Sequence, residues 1–149
     1  METRLHDLER AYPNDYQIAW RLGDLYCEGH ELDLPGTGSL ADATLQRAIA
    51  LRPDGGEGHL LFGVFLTDST VPANWPEGEV HLRQAIELSG ATPSPGAWST
   101  LATNLHRQGR LAEARDAMDR YLALDPSNQA AQQYRTLLDQ QLWQERGGQ

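Results

Sequence analysis

Lysine is missing from this sequence. All 12 basic residues are arginine, and 21 acidic residues leave a net charge of −9. A surface of that sign repels phosphate backbones, which argues against nucleic acid as a partner. Cysteine occurs once, at Cys27, so no internal disulfide can form, and no Asn-x-Ser/Thr acceptor occurs either. Nothing here therefore points to secretion. A run of about 18 apolar residues is also lacking, so no membrane span is expected. The opening residues METRLHDLERAYPND are charged and lack the apolar centre of a signal peptide, which makes the cytoplasm the default expectation.

What the chain does have is apolar periodicity. With 149 residues, 40% of them apolar, one domain with a core is expected. The pattern is clearest from Ala97 to Asn128. Apolar residues at Trp98, Leu101 and Leu105, then at Leu111, Ala114, Met118 and Leu122, recur at three- and four-residue steps, one face on each of two helices. Gly109 supplies the left-handed residue that ends the first helix. Asp125-Pro126 stops the second, because proline has no N–H to donate and biases its predecessor away from helical angles. Ala102 and Ala114, both small, let the two backbones approach. Neither helix can bury its stripe alone, so the unit needs neighbours.

Trp98, Leu101, Ala102, Leu105, Ala114, Met118, Leu122, Leu124 and Pro126 stand at the spacing of the tetratricopeptide repeat, and the stretch closely resembles that helix-turn-helix unit of about 34 residues. The resemblance implies an all-α, right-handed α-solenoid of antiparallel helix pairs that binds proteins without catalysis. It extends in weaker form over the chain as a single domain. Residues 1–12 read as an N-terminal capping helix with Leu5, Leu8 and Ala11 on one face, 15–55 as a first repeat, 56–94 as a second, 95–128 as the third and 129–145 as a C-terminal capping helix. In the first repeat about six extra residues within 29–38 predict an elaborated loop. In the second, the turn over 67–76 is about three residues too long, and Gly90 replaces the expected proline, which leaves the break to Pro93 and Pro95. Gly23 with Ala41, Gly63 with Gly78 and Ala102 with Ala114 are read as three small pairs at helix crossings. Asn128 should cap the last helix, whose apolar side is Ala131, Tyr134, Leu138 and Leu142. Trp143 lies off that face, as a frayed end or as part of a contact surface.

In this family the concave face is lined by the first helix of each repeat. Carried over by position, the resemblance places Gln17, Trp20, Asp24, Cys27 and Glu28 there, then Glu57, Leu60, Val64, Thr67 and Asp68, then Gly96, Ser99, Thr103, His106 and Arg107, with Gln133 and Leu137 on the capping helix. Trp20, Leu60 and Val64 would form an apolar floor. Asp24, Glu28 and Asp68 would form an acidic lip, with His106 and Arg107 as a cationic end. Such a groove suits a peptide segment with apolar anchors and basic residues at one end. The run from Leu60 to Leu66 points the same way, since it leaves no polar face. Either a partner covers Leu60 and Val64, or the two long loops do. Family members that clamp a C-terminal carboxylate do so with Lys, Asn and Arg at places held here by Trp20, Asp24, Leu61, Gly96 and Thr100. That clamp is absent, because no cation remains to pair with the terminal charge.

Chemistry has weaker support. Cys27, Glu28, His30 and Glu31 stand close together as a potential metal or thiol–imidazole cluster, but the Cys-x-x-His pair is solitary. His59 reads as a hydrogen-bonded core residue, and His6, His81 and His106 have no evident acid or nucleophile partner. No cofactor and no metal are expected. The sequence is read as a non-catalytic interaction module, an adaptor, assembly factor or scaffold that holds a peptide in its groove. Self-association through Trp143 or the repeat ends is the alternative, and a small metal protein or enzyme a more distant one. The sequence leaves the oligomeric state open.

Overall fold

The computed structural model describes residues 2–32, 34–91 and 94–148, without the side chains of Glu2, Thr3 and Leu5. The expectations for Leu5 and Pro93 therefore lie outside the description. Among the described residues run eight α-helices and no strand: α1 Glu2–Ala11, α2 Tyr16–Glu31, α3 Thr37–Leu51, α4 Gly56–Asp68, α5 Trp75–Leu88, α6 Pro95–Arg107, α7 Leu111–Leu124 and α8 Gln129–Glu145. A short 3-10 turn, Pro72–Asn74, leads into α5. None of these helices is long and apolar enough to cross a membrane.

Packing is most extensive within the pairs α2/α3, α4/α5 and α6/α7, and each pair rests on the next. The result is an all-α solenoid of antiparallel helix pairs. Its interior is a seam: Leu22, Tyr26 and Ala41, then Leu45, Phe62 and Leu66, then a larger cluster from Leu82 through Leu101, Leu105 and Met118 to Leu138. Cys27 and Phe65 pack against both of the first two clusters and join them. Burial shared between successive pairs is what gives such an array its stability.

Local signals place most helix ends. The Asp15 carboxylate accepts from the Gln17 and Ile18 backbone N–H groups at 2.8 and 3.3 Å, and the Asn128 side chain accepts from the Ala131 N–H at 3.0 Å. Gly109, at φ +75°, closes α6, and α7 stops at Leu124 before Asp125-Pro126. Gly90, at φ +55°, follows the end of α5, and Pro95 opens α6. The break after α5 thus falls at this glycine, in the place where a proline is usual.

Several expectations are corrected. No ten-residue loop spans 29–38: α2 continues through Glu31 and α3 starts at Thr37. Gly29 lies inside α2, and a Cβ there would come within 2.9 Å of the Thr37 side chain, so the glycine serves packing and not a turn. The second connection is likewise shortened, since Thr67 and Asp68 belong to α4 and Trp75 and Pro76 to α5. At Gly23 and Gly63 the small residue receives a leucine one turn beyond its expected partner, while Ala102 and Ala114 lie buried in one cluster. A Cβ at Gly23 would lie 2.5 Å from Leu45 Cδ2, and one at Gly63 would lie 2.7 Å from Leu82 Cγ. Gly78 faces Asn104, Leu66 and Thr67.

The two ends of the array differ. On α8, Leu138 is fully buried, Ala131 nearly so, and Tyr134 and Leu142 are half-buried. On α1, Leu8 and Ala11 stay exposed. Polar contacts hold α1: His6 Nε2 hydrogen-bonds the Tyr26 hydroxyl, and Arg47 donates to the Glu9 carboxylate and to the Pro13 carbonyl.

Candidate interaction groove

Helices α2 and α4 lie side by side, and between them opens a cavity of about 100 Å³. Its floor is Cys27 with Leu61, Val64 and Phe65, all half-buried. Around it stand Asp24, Glu28, Glu31 and Asp68, with His30 at one side. On α2 the carboxylates recur at four- and three-residue steps, which stacks them along one face. The His30 ring meets Phe65 edge-on with centroids 5.6 Å apart, and this contact fixes the wall.

Of the residues placed on the concave face by position, Asp24, Cys27, Glu28, Val64 and Asp68 come together here. Leu60 turns to the other side of α4, packing against the large cluster and lining a wider cavity of about 360 Å³ with Arg52, Ala85 and Leu88. Trp20 lines neither cavity; Arg21 lies over its ring at 5.2 Å, and its buried Nε1 has no hydrogen-bond acceptor among the described residues. Leu137 is 43% exposed on the outer side of α8, beside Gln133, Thr136 and Gln140. Leu61 and Phe65 form floor that position did not single out. A helix apolar on every side carries no periodic signal for which residues face which neighbour.

The cationic end is engaged within the chain. Arg107 donates to the Thr67 carbonyl at the end of α4 and lies 3.7 Å from the Asp68 carboxylate. His106 Nδ1 hydrogen-bonds the Tyr134 hydroxyl at 2.8 Å, and the Thr103 hydroxyl donates to the Ser99 carbonyl at 3.2 Å. Net negative charge therefore dominates the rim.

Just behind the groove lies a buried polar cluster that periodicity did not show. Asn104, fully buried, donates to the Thr67 hydroxyl at 2.8 Å and to the Trp75 carbonyl at 2.9 Å, and accepts from Gln108 Nε2 at 2.6 Å. It pins the α4–α5 connection to α6. Glu79 reinforces the same boundary. Burial works against its charge, but hydrogen bonds from Gln108, Arg83 and Arg110 outweigh that and hold its carboxyl below the usual range.

The chemistry available is limited. Burial first, then Asp24 and Glu31, push the Cys27 thiol up to about 12, so the thiolate that nucleophilic or metal chemistry needs is disfavoured. Among the described residues no three His, Cys, Asp or Glu side chains gather where they could hold a metal ion. His59, 5% exposed, hydrogen-bonds the Pro53 carbonyl and His81, as a core residue does.

A search of curated proteins finds no match to the chain. Residues 95–128 match the tetratricopeptide repeat family model. That span covers α6, α7 and the turn that follows them. The matched residues form one helix pair of the solenoid, and α2/α3 and α4/α5 are likewise packed as pairs.

Proposed function

We propose that the protein is a non-catalytic protein-interaction module of three tetratricopeptide-like repeats, with α1 and α8 covering the ends, and that it seats a peptide segment of its partner in the α2/α4 groove. The observation that carries this reading is the half-buried apolar floor of Leu61, Val64 and Phe65 inside an acidic rim. Apolar side chains held at a cavity between two helices gain by burying an anchor, and each anchor is worth about 1.5–3 kcal/mol. Ordering a free peptide costs several kcal/mol in return, so affinity near the micromolar range, about −8 kcal/mol, is expected. The chain works without a cofactor on this reading.

Affinity capture from a source lysate tests it, with the wild-type protein and Val64→Asp as baits and circular dichroism confirming that both are folded. A protein retained by the wild type and lost from Val64→Asp supports the groove. The same set of proteins on both baits, or none on either, overturns it.

A further inference from the structure

We infer that the α2/α4 groove is a receptor for one long cationic side chain, arginine or lysine, presented by an extended peptide of the partner, with its methylene stem on Leu61, Val64 and Phe65 and its charged head among Asp24, Glu28 and Glu31. The inference rests on the groove reading above and narrows the partner's chemistry.

Charge bookkeeping within the chain leads to it. Several carboxylates at other helix contacts have arginines: Glu9 has Arg47, Glu79 has Arg83 and Arg110, and Asp119 and Asp139 share Arg135. Asp24, Glu28 and Glu31 make no ion pair with any described residue. Arg107, the cation beside Asp68 at the rim, is held by the Thr67 carbonyl and by Asp68 itself, and Arg21 on α2 lies over the Trp20 ring. Three like charges along one helix face repel one another unless a cation joins them. Burial, and after it the charges of Asp24 and Glu31, already raise the neighbouring thiol.

Shape selects the kind of cation. A free metal ion needs convergent ligands, and these carboxylates are spread along α2 from Asp24 to Glu31. Lysine and arginine instead carry an apolar stem behind a charged head, which matches a narrow apolar cavity with a charged lip. The Phe65 and His30 rings add π surface where a guanidinium can lie. An acidic segment would meet repulsion from the same rim, and a purely aliphatic one would leave the three carboxylates unpaired.

The test is a set of NMR titrations of the ¹⁵N-labelled full chain with three capped pentapeptides, Ala-Leu-X-Leu-Ala, where X is arginine, norleucine or glutamate. The expected result is that backbone amides of 24–31 and 61–68 shift with the arginine peptide, less with norleucine and not with glutamate. The triple variant Asp24→Asn, Glu28→Gln, Glu31→Gln should weaken the arginine peptide about tenfold and leave norleucine unchanged. If norleucine binds at these amides as tightly as arginine, or if the triple variant binds the arginine peptide like the wild type, the cation inference is overturned while the groove stands. If no peptide moves these amides, both fall.

Discussion

His59 Nδ1 lies 2.9 Å from His81 Nδ1, and the two rings stack with centroids 5.1 Å apart. His59 Nε2 faces the Pro53 carbonyl at 3.1 Å, a group that only accepts. That assigns the proton of neutral His59 to Nε2 and makes His81 Nδ1–H the donor between the rings. Burial, then His59, lower the His81 pKa. Above about pH 6.5 both folded and unfolded chains hold His81 neutral. Below it, the unfolded chain takes up a proton that the folded one resists, so stability falls as pH drops toward the lowered value. His81→Gln keeps a donor for His59 without titrating. Urea midpoints compared between about pH 7 and 5 should fall less in His81→Gln than in the wild type; equal slopes would remove the pair from the pH response.

A methyl group at Gly63 should destabilise the fold. It would sit 2.7 Å from Leu82 Cγ and 3.1 Å from the Leu82 backbone nitrogen, which cannot move aside as a side chain can. Gly63→Ala is expected to lose about 1–3 kcal/mol, more than the ~1 kcal/mol that helix propensity returns. At exposed Gly96 the added atom meets only Ser94 Oγ at 3.7 Å, so Gly96→Ala should be neutral or slightly stabilising by the same urea measurement.

Asn104 offers a sharper case. Asn104→Ala leaves the Trp75 carbonyl without its buried donor and should cost about 1–3 kcal/mol. Thr67→Val keeps the Asn104–Trp75 bond and should cost less. Equal costs in denaturant unfolding would show that the bond to Thr67 carries the cluster.

Alkylation measures the groove's field. With its pKa near 12, Cys27 should react with iodoacetamide far more slowly at neutral pH than free cysteine. Asp24→Asn with Glu31→Gln removes two of the causes, lowers the pKa and should speed the reaction. An unchanged rate would mean that burial alone protects the thiol.

The sequence showed most where periodicity and capping act locally. Asn128 caps α8 and Gly109 closes α6, and the buried side of α8 follows the apolar stripe, because each depends on residues within about a turn. Distant contacts were hidden. Gly29 reads as a turn in isolation, and only Thr37 packed against it shows why a residue without a side chain stands inside α2. Arg107 reads as a free cation until α4 brings the Thr67 carbonyl to it. Within the candidate groove, Asp24, Cys27, Glu28, Val64 and Asp68 could be placed by position, while Leu61 and Phe65 could not, since the run from Leu60 to Leu66 is apolar on every side.

The joints between helix pairs are unequal. Asn104, Glu79 and Arg107 fasten the second pair to α6, while the first pair meets the second through a smaller contact that is mainly apolar. The groove lies over the less fastened of these joints, where local opening is expected to cost less free energy. Bending there would alter the separation of α2 and α4 and leave the better fastened pairs in place. An occupant wedged between them would act as a splint, setting the curvature of the chain and slowing amide exchange along α2.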